Sequence, residues 1–204
     1  FILITNSNEI TDFLKLSLGN VKPVFYYTNC SVNSFKNVYL IPKIISKLKP
    51  DIYFSPCYPF FSPLIKGCRH VGVIHDLIPL IFPEMFKNAS KKFRLFYCNK
   101  LVQKLIIKKL DTVITVSKST KNDLINLLGI NLGKINIITE GCRLEDIAEK
   151  EDLPEKFNIN KEFFLFVGRH EPYKNISGLI KIYNQLPENI KNTYLLVIIG
   201  KFDQ

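Results

Sequence analysis

The sequence has no apolar run long enough to cross a bilayer. Its longest, such as Tyr194 to Ile199, fall far short of the roughly 20 residues a spanning helix needs, so no transmembrane helix is expected. No repeat period is present, and glycine (9) and proline (11) are too few among 204 residues for a disordered, collagen-like or mucin-like chain. Five cysteines make an odd number with no CxxC pair and no histidines at zinc-ligand spacing, which predicts reduced cytosolic thiols and not a disulfide or zinc framework. The opening residues Phe1 to Thr5 lack a basic n-region and a small-residue cleavage site, so no signal peptide is read there. GxGxxG, GxxxxGK[ST] and DxD are all missing, as are zinc-finger, helix-turn-helix and RNP patterns. These absences argue against a Walker-type nucleotidase, a metal-bridged diphosphate and a nucleic-acid partner.

The chain does carry an excess of positive charge. Lysine and arginine (28) outnumber the acids (18), giving +10, which favours an anionic partner such as a phosphorylated small molecule or a phospholipid surface. Apolar residues make up 47% of it, enough for a sizeable core in one large or two smaller domains. Three N-x-S triplets, at Asn29, Asn88 and Asn175, carry little weight in an asparagine-rich cytosolic chain.

Short β-branched and aromatic runs recur, each followed by a helical pattern: Phe1–Thr5, Ile52–Ser55, Val71–His75, Thr112–Val116, Ile135–Thr139, Phe163–Val167 and Tyr194–Ile199. Their near-continuous apolar character predicts strands buried on both faces of a parallel sheet covered by helices, an α/β fold. Val38 to Lys49 has helical spacing and stops at Pro50. "VSKSTKNDLINLLG" offers Ser117 and Ser119 as caps and Gly129 as a stop. The polar stretch Ala148 to Asn160 reads as a linker, so residues 1–150 form one domain and 151–204 begin another. About fifty residues fit roughly one βαβ unit, too little for a core of its own. Both ends of the chain are therefore expected to be cut.

Ligands of open parallel sheets gather beyond the carboxyl ends of strands. His75-Asp76, Gly168-Arg169 and Gly200 occupy such places. In "VGRHEPYKN", Gly168 allows a close backbone approach, Arg169 and Lys174 can reach phosphate oxygens, and a helix starting near Asn175 adds its positive dipole end. A solvated turn with outward charges is the competing reading, and for His75 it is a structural histidine.

Five stretches, "VIHDLIPLIFPE", "VITVSKSTKNDLINLLGI", "INIITEGC", "VGRHEPYKN" and "LLVIIGKFD", resemble in order and spacing the retaining GT-B glycosyltransferases of family 4, of the "glycosyl transferases group 1" type. The resemblance covers nearly the whole chain. It implies a GT-B arrangement: most of an N-terminal Rossmann-like domain on the acceptor side, and the start of a C-terminal Rossmann-like domain that binds a nucleotide-sugar donor across a cleft. Arg169 and Lys174 match the family's GRxxxxK grip on the donor diphosphate, with Gly168 as its glycine. His75 matches the histidine beside the transferred sugar, the expected catalytic position, and Gly141 matches the glycine of a loop facing the cleft. "ITEGC" departs from the commoner P-x-G wording, and the family's glycine-rich start and E-x7-E element are not found in the chain. No cofactor and no metal are implied, so protein cations must neutralise the diphosphate.

From Lys87 to Lys109 eight basic residues and no acid interleave with Phe93, Leu95, Phe96, Leu101, Val102, Leu105 and Ile106. This resembles a basic amphipathic helix able to lie on an anionic leaflet, against the alternative of a core-packed helix with a solvated face. The sequence thus predicts a cytoplasmic, metal-independent glycosyltransferase, inactive as this chain alone. It would move a sugar from a nucleotide-sugar to a saccharide or lipid-linked acceptor for surface polysaccharide, with the inner membrane face as a further partner. The competing reading is an inactive peripheral-membrane or anion-binding module from a truncated copy.

Overall fold

The computed structural model describes residues 2–5, 24–27, 36–60, 62–141, 157 and 159–200. The chain divides into two compact units, Phe1–Ile81 with Ala89–Thr139 and Phe82–Asn88 with Glu140–Gln204. The linker expected over 148–160 lies outside the described residues except for Phe157, Ile159 and Asn160, as do Cys30 and Cys142. Cys57, Cys68 and Cys98 are free thiols.

The first unit is built on four parallel strands, β3 (Ile52–Ser55), β4 (Arg69–Ile74), β5 (Thr112–Thr115) and β6 (Ile135–Ile137), adjacent in that order. A separate parallel pair joins β1 (Ile2–Thr5) to β2 (Val24–Tyr27), a strand that the apolar pattern did not single out. Parallel neighbours need crossovers, and the chain supplies them as helices: α2 (Ile78–Ile81), α3 (Lys91–Tyr97) and α4 (Lys100–Lys108) between β4 and β5, then α5 (Lys118–Leu128) between β5 and β6. Upstream, α1 (Asn37–Leu48) carries Pro42 inside it and stops at Lys49, whose backbone turns left-handed just before Pro50.

The core forms where β4 to β6 meet α4 and α5: Ile74, Leu77, Ile107, Leu110, Val113, Leu124, Leu128, Ile130 and Ile135 make one buried cluster. Gly72 in β4 makes room for it, since a Cβ there would stand 2.8 Å from Leu110 Cδ1 and 3.1 Å from Pro59 Cγ. Capping fixes the ends of α5. Ser117 accepts from Thr120 N at 3.1 Å, and Gly129 adopts φ 62° and donates to Ile125 O. Ser119 lies within the helix.

Two expectations are corrected. The basic segment is not one helix: Asn99 accepts from Leu101 N and Val102 N and starts α4 afresh, while Ser90 caps α3 by accepting from Phe93 N. Gln103 Nε2 donates to Tyr97 O and staples the break. In the second unit, β7 (Glu162–Val167) and β8 (Tyr194–Ile199) pair in parallel over six residues, connected by α6 (Ile176–Asn184) and α7 (Glu188–Thr193). Yet β7 is largely exposed, not buried on both faces, because among the described residues its sheet has only these two strands. Tyr183 Oη donates to Tyr194 O at 2.8 Å and holds α6 to β8, and Phe164 stacks on Tyr194.

Candidate functional site

In the second unit, Gly168 follows β7 directly. Its N–H donates to Ile199 O at 2.9 Å, the last rung of the β7–β8 ladder. On the far side of that rung, a Cβ on Gly200 would stand 1.8 Å from Gly168 O and 3.0 Å from His170 Cδ2. The steric demand for glycine therefore falls on Gly200. At Gly168 itself a Cβ would meet only the rim of Phe166, at 3.3 Å.

The chain then makes a short 3-10 turn over Pro172–Lys174, where Lys174 N donates to Glu171 O, and Asn175 turns left-handed (φ 52°) to enter α6. The Asn175 side chain does not cap the helix. It lies across Gly178, where a Cβ would fall 2.5 Å from its amide nitrogen. The first-turn amides of α6 therefore receive no side-chain oxygen from their N-cap residue.

Arg169 and Lys174 belong to one linked set. Glu171 Oε1 lies 3.8 Å from Arg169 Nε, Tyr173 Oη donates to Glu171 Oε2, and Lys174 Nζ stands 5.2 Å from the Tyr173 ring centroid. The Arg169 side chain is 62% exposed, so this single-nitrogen pair at long range is a weak tether that orients the guanidinium more than it neutralises it. Glu171 and Tyr173 were not singled out in the sequence, although both sit inside the GRxxxxK spacing. The solvated-turn reading accounts for the exposure of the two cations but not for their shared scaffold.

In the first unit, His75 is the first residue after β4 and is exposed. Its Nε2 lies 3.1 Å from Pro56 O. A carbonyl can only accept, so Nε2 carries a proton in this contact. Its own carbonyl accepts from Thr120 Oγ1 at 2.9 Å, at the first turn of α5. Asp76 Oδ1 accepts from Ile78 N and starts α2. The loop carrying Pro56 is anchored by rings that spacing could not reveal: Tyr58 packs on Phe60 and Tyr97, with centroids 4.8 and 5.1 Å away, and Phe93 stacks on Tyr97. Burial pushes the Tyr58 phenol far up from its ordinary range, with Tyr97 adding to the effect.

His70, inside β4, behaves as the core histidine. It is 5% exposed, edge-on to Tyr53, and burial holds its imidazole below the usual histidine range against the opposing pull of Asp111. A cavity of about 630 Å3 lined by Lys49, Asp51, Gly67, Cys68 and Arg69 lies at the amino ends of β3 and β4, the opposite edge of the sheet from His75. Gly141 is exposed, and a Cβ there would meet nothing within 4 Å, so no steric need for glycine is visible at that position. Among the described residues no three His, Cys, Asp or Glu side chains converge as metal ligands, and no helix is long and apolar enough to cross a membrane.

Comparison with known proteins gives a consistent result. The model of Glycosyltransferase Family 4 matches residues 8–146, and that of Glycosyl transferases group 1 matches 148–204. An uncharacterised glycosyltransferase of Methanocaldococcus jannaschii is 37% identical over 171 residues, covering 81% of this chain and 42% of the relative. The serotype-specific mannosyltransferase WbdA of Escherichia coli is 31% identical over 172 residues, covering 77% of this chain and 21% of the relative. A Campylobacter jejuni enzyme named as an N-acetylgalactosaminyltransferase acting on a diphospho-undecaprenol-linked saccharide is 32% identical over 158 residues, 67% of this chain and 42% of the relative. The chain thus spans less than half the length of each. A glycosyltransferase crystal structure from Rickettsia africae superposes with a TM-score of 0.45 at 15% identity, over 98% of this chain and 60% of that one.

Proposed function

Since the chain belongs to glycosyltransferase family 4, with the α/β, parallel-stranded architecture of GT-B Rossmann-like domains, we propose that it takes part in transferring a hexose from a nucleotide-sugar to a hydroxyl of a saccharide or lipid-linked acceptor during surface-polysaccharide synthesis. Two named relatives, a mannosyltransferase and a transferase acting on a lipid-linked saccharide, support this substrate class. The observation that carries it is local: Arg169, loosely paired with Glu171, and Lys174, beside Tyr173, share the loop after β7 next to the amino end of α6. Two cations and a helix amino end together suit a diphosphate.

Cleavage of the sugar–phosphate bond leaves negative charge on the departing diphosphate oxygen. Groups fixed in advance around that oxygen stabilise the transition state more than the ground state. Arg169 and Lys174 are proposed for this role without a bridging metal, since the sequence has no DxD, and with retention at the sugar carbon as the family resemblance implies. His75 is proposed to contact the transferred sugar. Its exposure just past β4 and the orientation of its ring by Pro56 O support that role. Gly141 is proposed only as part of the loop nearby in the motif, and the domain boundary is placed near residue 150. The cytoplasm is the proposed site of action.

Isothermal titration of the purified protein with uridine and guanosine diphosphates tests the reading. Arg169→Ala and Lys174→Ala should each weaken binding by about tenfold to a hundredfold, or about 1.5–3 kcal/mol for a charge-assisted contact. Affinity unchanged in both variants would remove the loop from donor binding.

A further inference from the structure

We infer that Thr120 is a positioning residue for His75, acting through a directed pair of hydroxyls at the start of α5. The pairing of β4 with β5 ends at Ile74 opposite Thr115, so His75 stands one residue beyond the last paired position. There Thr120, 5% exposed, reaches it across 45 residues of sequence and donates from Oγ1 to His75 O at 2.9 Å. The ring is met separately by Pro56 O, 3.1 Å from Nε2. The loop carrying that carbonyl is itself fixed, since Pro59 is fully buried and Tyr58 packs against the core cluster. Backbone and ring of an exposed side chain are thus held by two different segments, the first turn of α5 and the loop after β3.

The direction of the hydroxyl pair follows from valence. A threonine hydroxyl has one proton and a carbonyl oxygen can only accept, so that proton goes to His75 O. Thr120 Oγ1 also lies 3.0 Å from Ser117 Oγ. With its proton spent it can only accept there, and Ser117 must donate. Ser117 Oγ in turn accepts from Thr120 N at 3.1 Å as the cap of α5. Ser117 therefore serves twice, capping the helix and polarising the hydroxyl that holds His75. A cap needs only an acceptor at position 117, whereas the hold on His75 also needs a proton donor, and this difference separates the two roles. An acceptor-only carboxylate at 117 would cap α5 but compete with His75 O for the single proton of Thr120. The catalytic meaning of the hold rests on His75 lying beside the transferred sugar, but the hold itself is measured at the His75 ring, so the two fail separately.

The chain has three histidines, His70, His75 and His170, so carbon–proton correlation spectra and relaxation of the imidazole rings follow each one, with His75→Gln assigning its signal. In the parent the His75 ring should be ordered like the rigid backbone, with an order parameter of about 0.85. In Thr120→Val, which keeps the branched shape and loses the donor, it should fall toward about 0.6 or below, and its signal should move. Thr120→Ser, which keeps the hydroxyl, should stay at the parental value. Ser117→Asp should keep α5 capped, with Tm no lower than the parent's, yet loosen His75 as Thr120→Val does. Ile130→Val, which trims a buried core side chain, should lower Tm and leave the His75 signal in place. The proposal is overturned by a His75 ring that is already mobile in the parent, by a parental His75 signal in Thr120→Val or Ser117→Asp, by Thr120→Ser as loose as Thr120→Val, or by Ile130→Val loosening His75 equally. Should circular dichroism show Thr120→Val unfolded, Ser117→Asp decides.

Discussion

Replacing Gly200 with alanine places a methyl 1.8 Å from the Gly168 carbonyl oxygen. Carbon and oxygen come into contact at about 3.3 Å, so one of the two loops must retreat by about 1.5 Å. Overpacking of this kind costs about 1–3 kcal/mol, and the reduced freedom of alanine in the unfolded chain returns only about 0.4–1 kcal/mol of it. The strain has two outlets. If β7 and β8 stay paired and bear it, a net loss of about 1.5 kcal/mol lowers Tm by roughly 3–6 °C in a chain of this size. If the 168–175 loop moves instead, Tm holds, but Arg169 leaves its place by more than 1 Å, and nucleoside-diphosphate affinity falls by about tenfold. Differential scanning fluorimetry and calorimetry on the same variant distinguish the outlets. Gly168→Ala is the control for stability: its methyl would meet only the movable rim of Phe166 at 3.3 Å, so it should change Tm far less. A Gly200→Ala protein with parental Tm and parental affinity, or a Gly168→Ala protein with a lower Tm than it, would refute the close approach.

In the full-length enzyme, His75→Ala should lower kcat more than it weakens nucleoside-diphosphate binding, since contact with the reacting sugar counts most in the transition state. Normal turnover in a folded variant would return His75 to the structural role of bonding Pro56 O. His70 should impose an acid limit on stability. Burial depresses its folded pKa below the ordinary 6.5, so the unfolded chain binds the proton first. Stability is then fully present above about pH 6.5 and is lost as pH falls toward the folded value. Urea midpoints measured from neutral to mildly acidic pH should slope in the parent and flatten in His70→Phe. Equal slopes would mean that the imidazole does not contribute.

The parallel strands were legible to within a residue or two because short runs of β-branched and aromatic residues mark them, as at Ile52–Ser55 and Tyr194–Ile199, although neither of these two is fully buried. β2 (Val24–Tyr27) escaped because no helical pattern follows it directly to mark a crossover unit. The break at Asn99 was visible as a capping residue. It was overridden by a charge pattern that continues across it, even though two backbone amides on Asn99 Oδ1 decide the matter locally. The same division between local and distant runs through the site. Arg169, Lys174 and the turn joining them lie within one short stretch, so composition and spacing could find them. Their orientation through Glu171 and Tyr173 could have been suspected from the same stretch but not measured. The ring of His75 is set by a carbonyl 19 residues earlier, and no spacing rule reaches that far. Gly200 shows the limit most sharply. It was read only as one of three strand-end positions where a ligand could gather, but its requirement arises from register: with Val167 opposite Ile199, Gly168 and Gly200 are the next pair along the two strands, and one backbone oxygen occupies the space that any side chain would need. Strand ends that converge so closely hold the cationic loop at a fixed height above the sheet, so the geometry that would position Arg169 depends on a glycine 31 residues away.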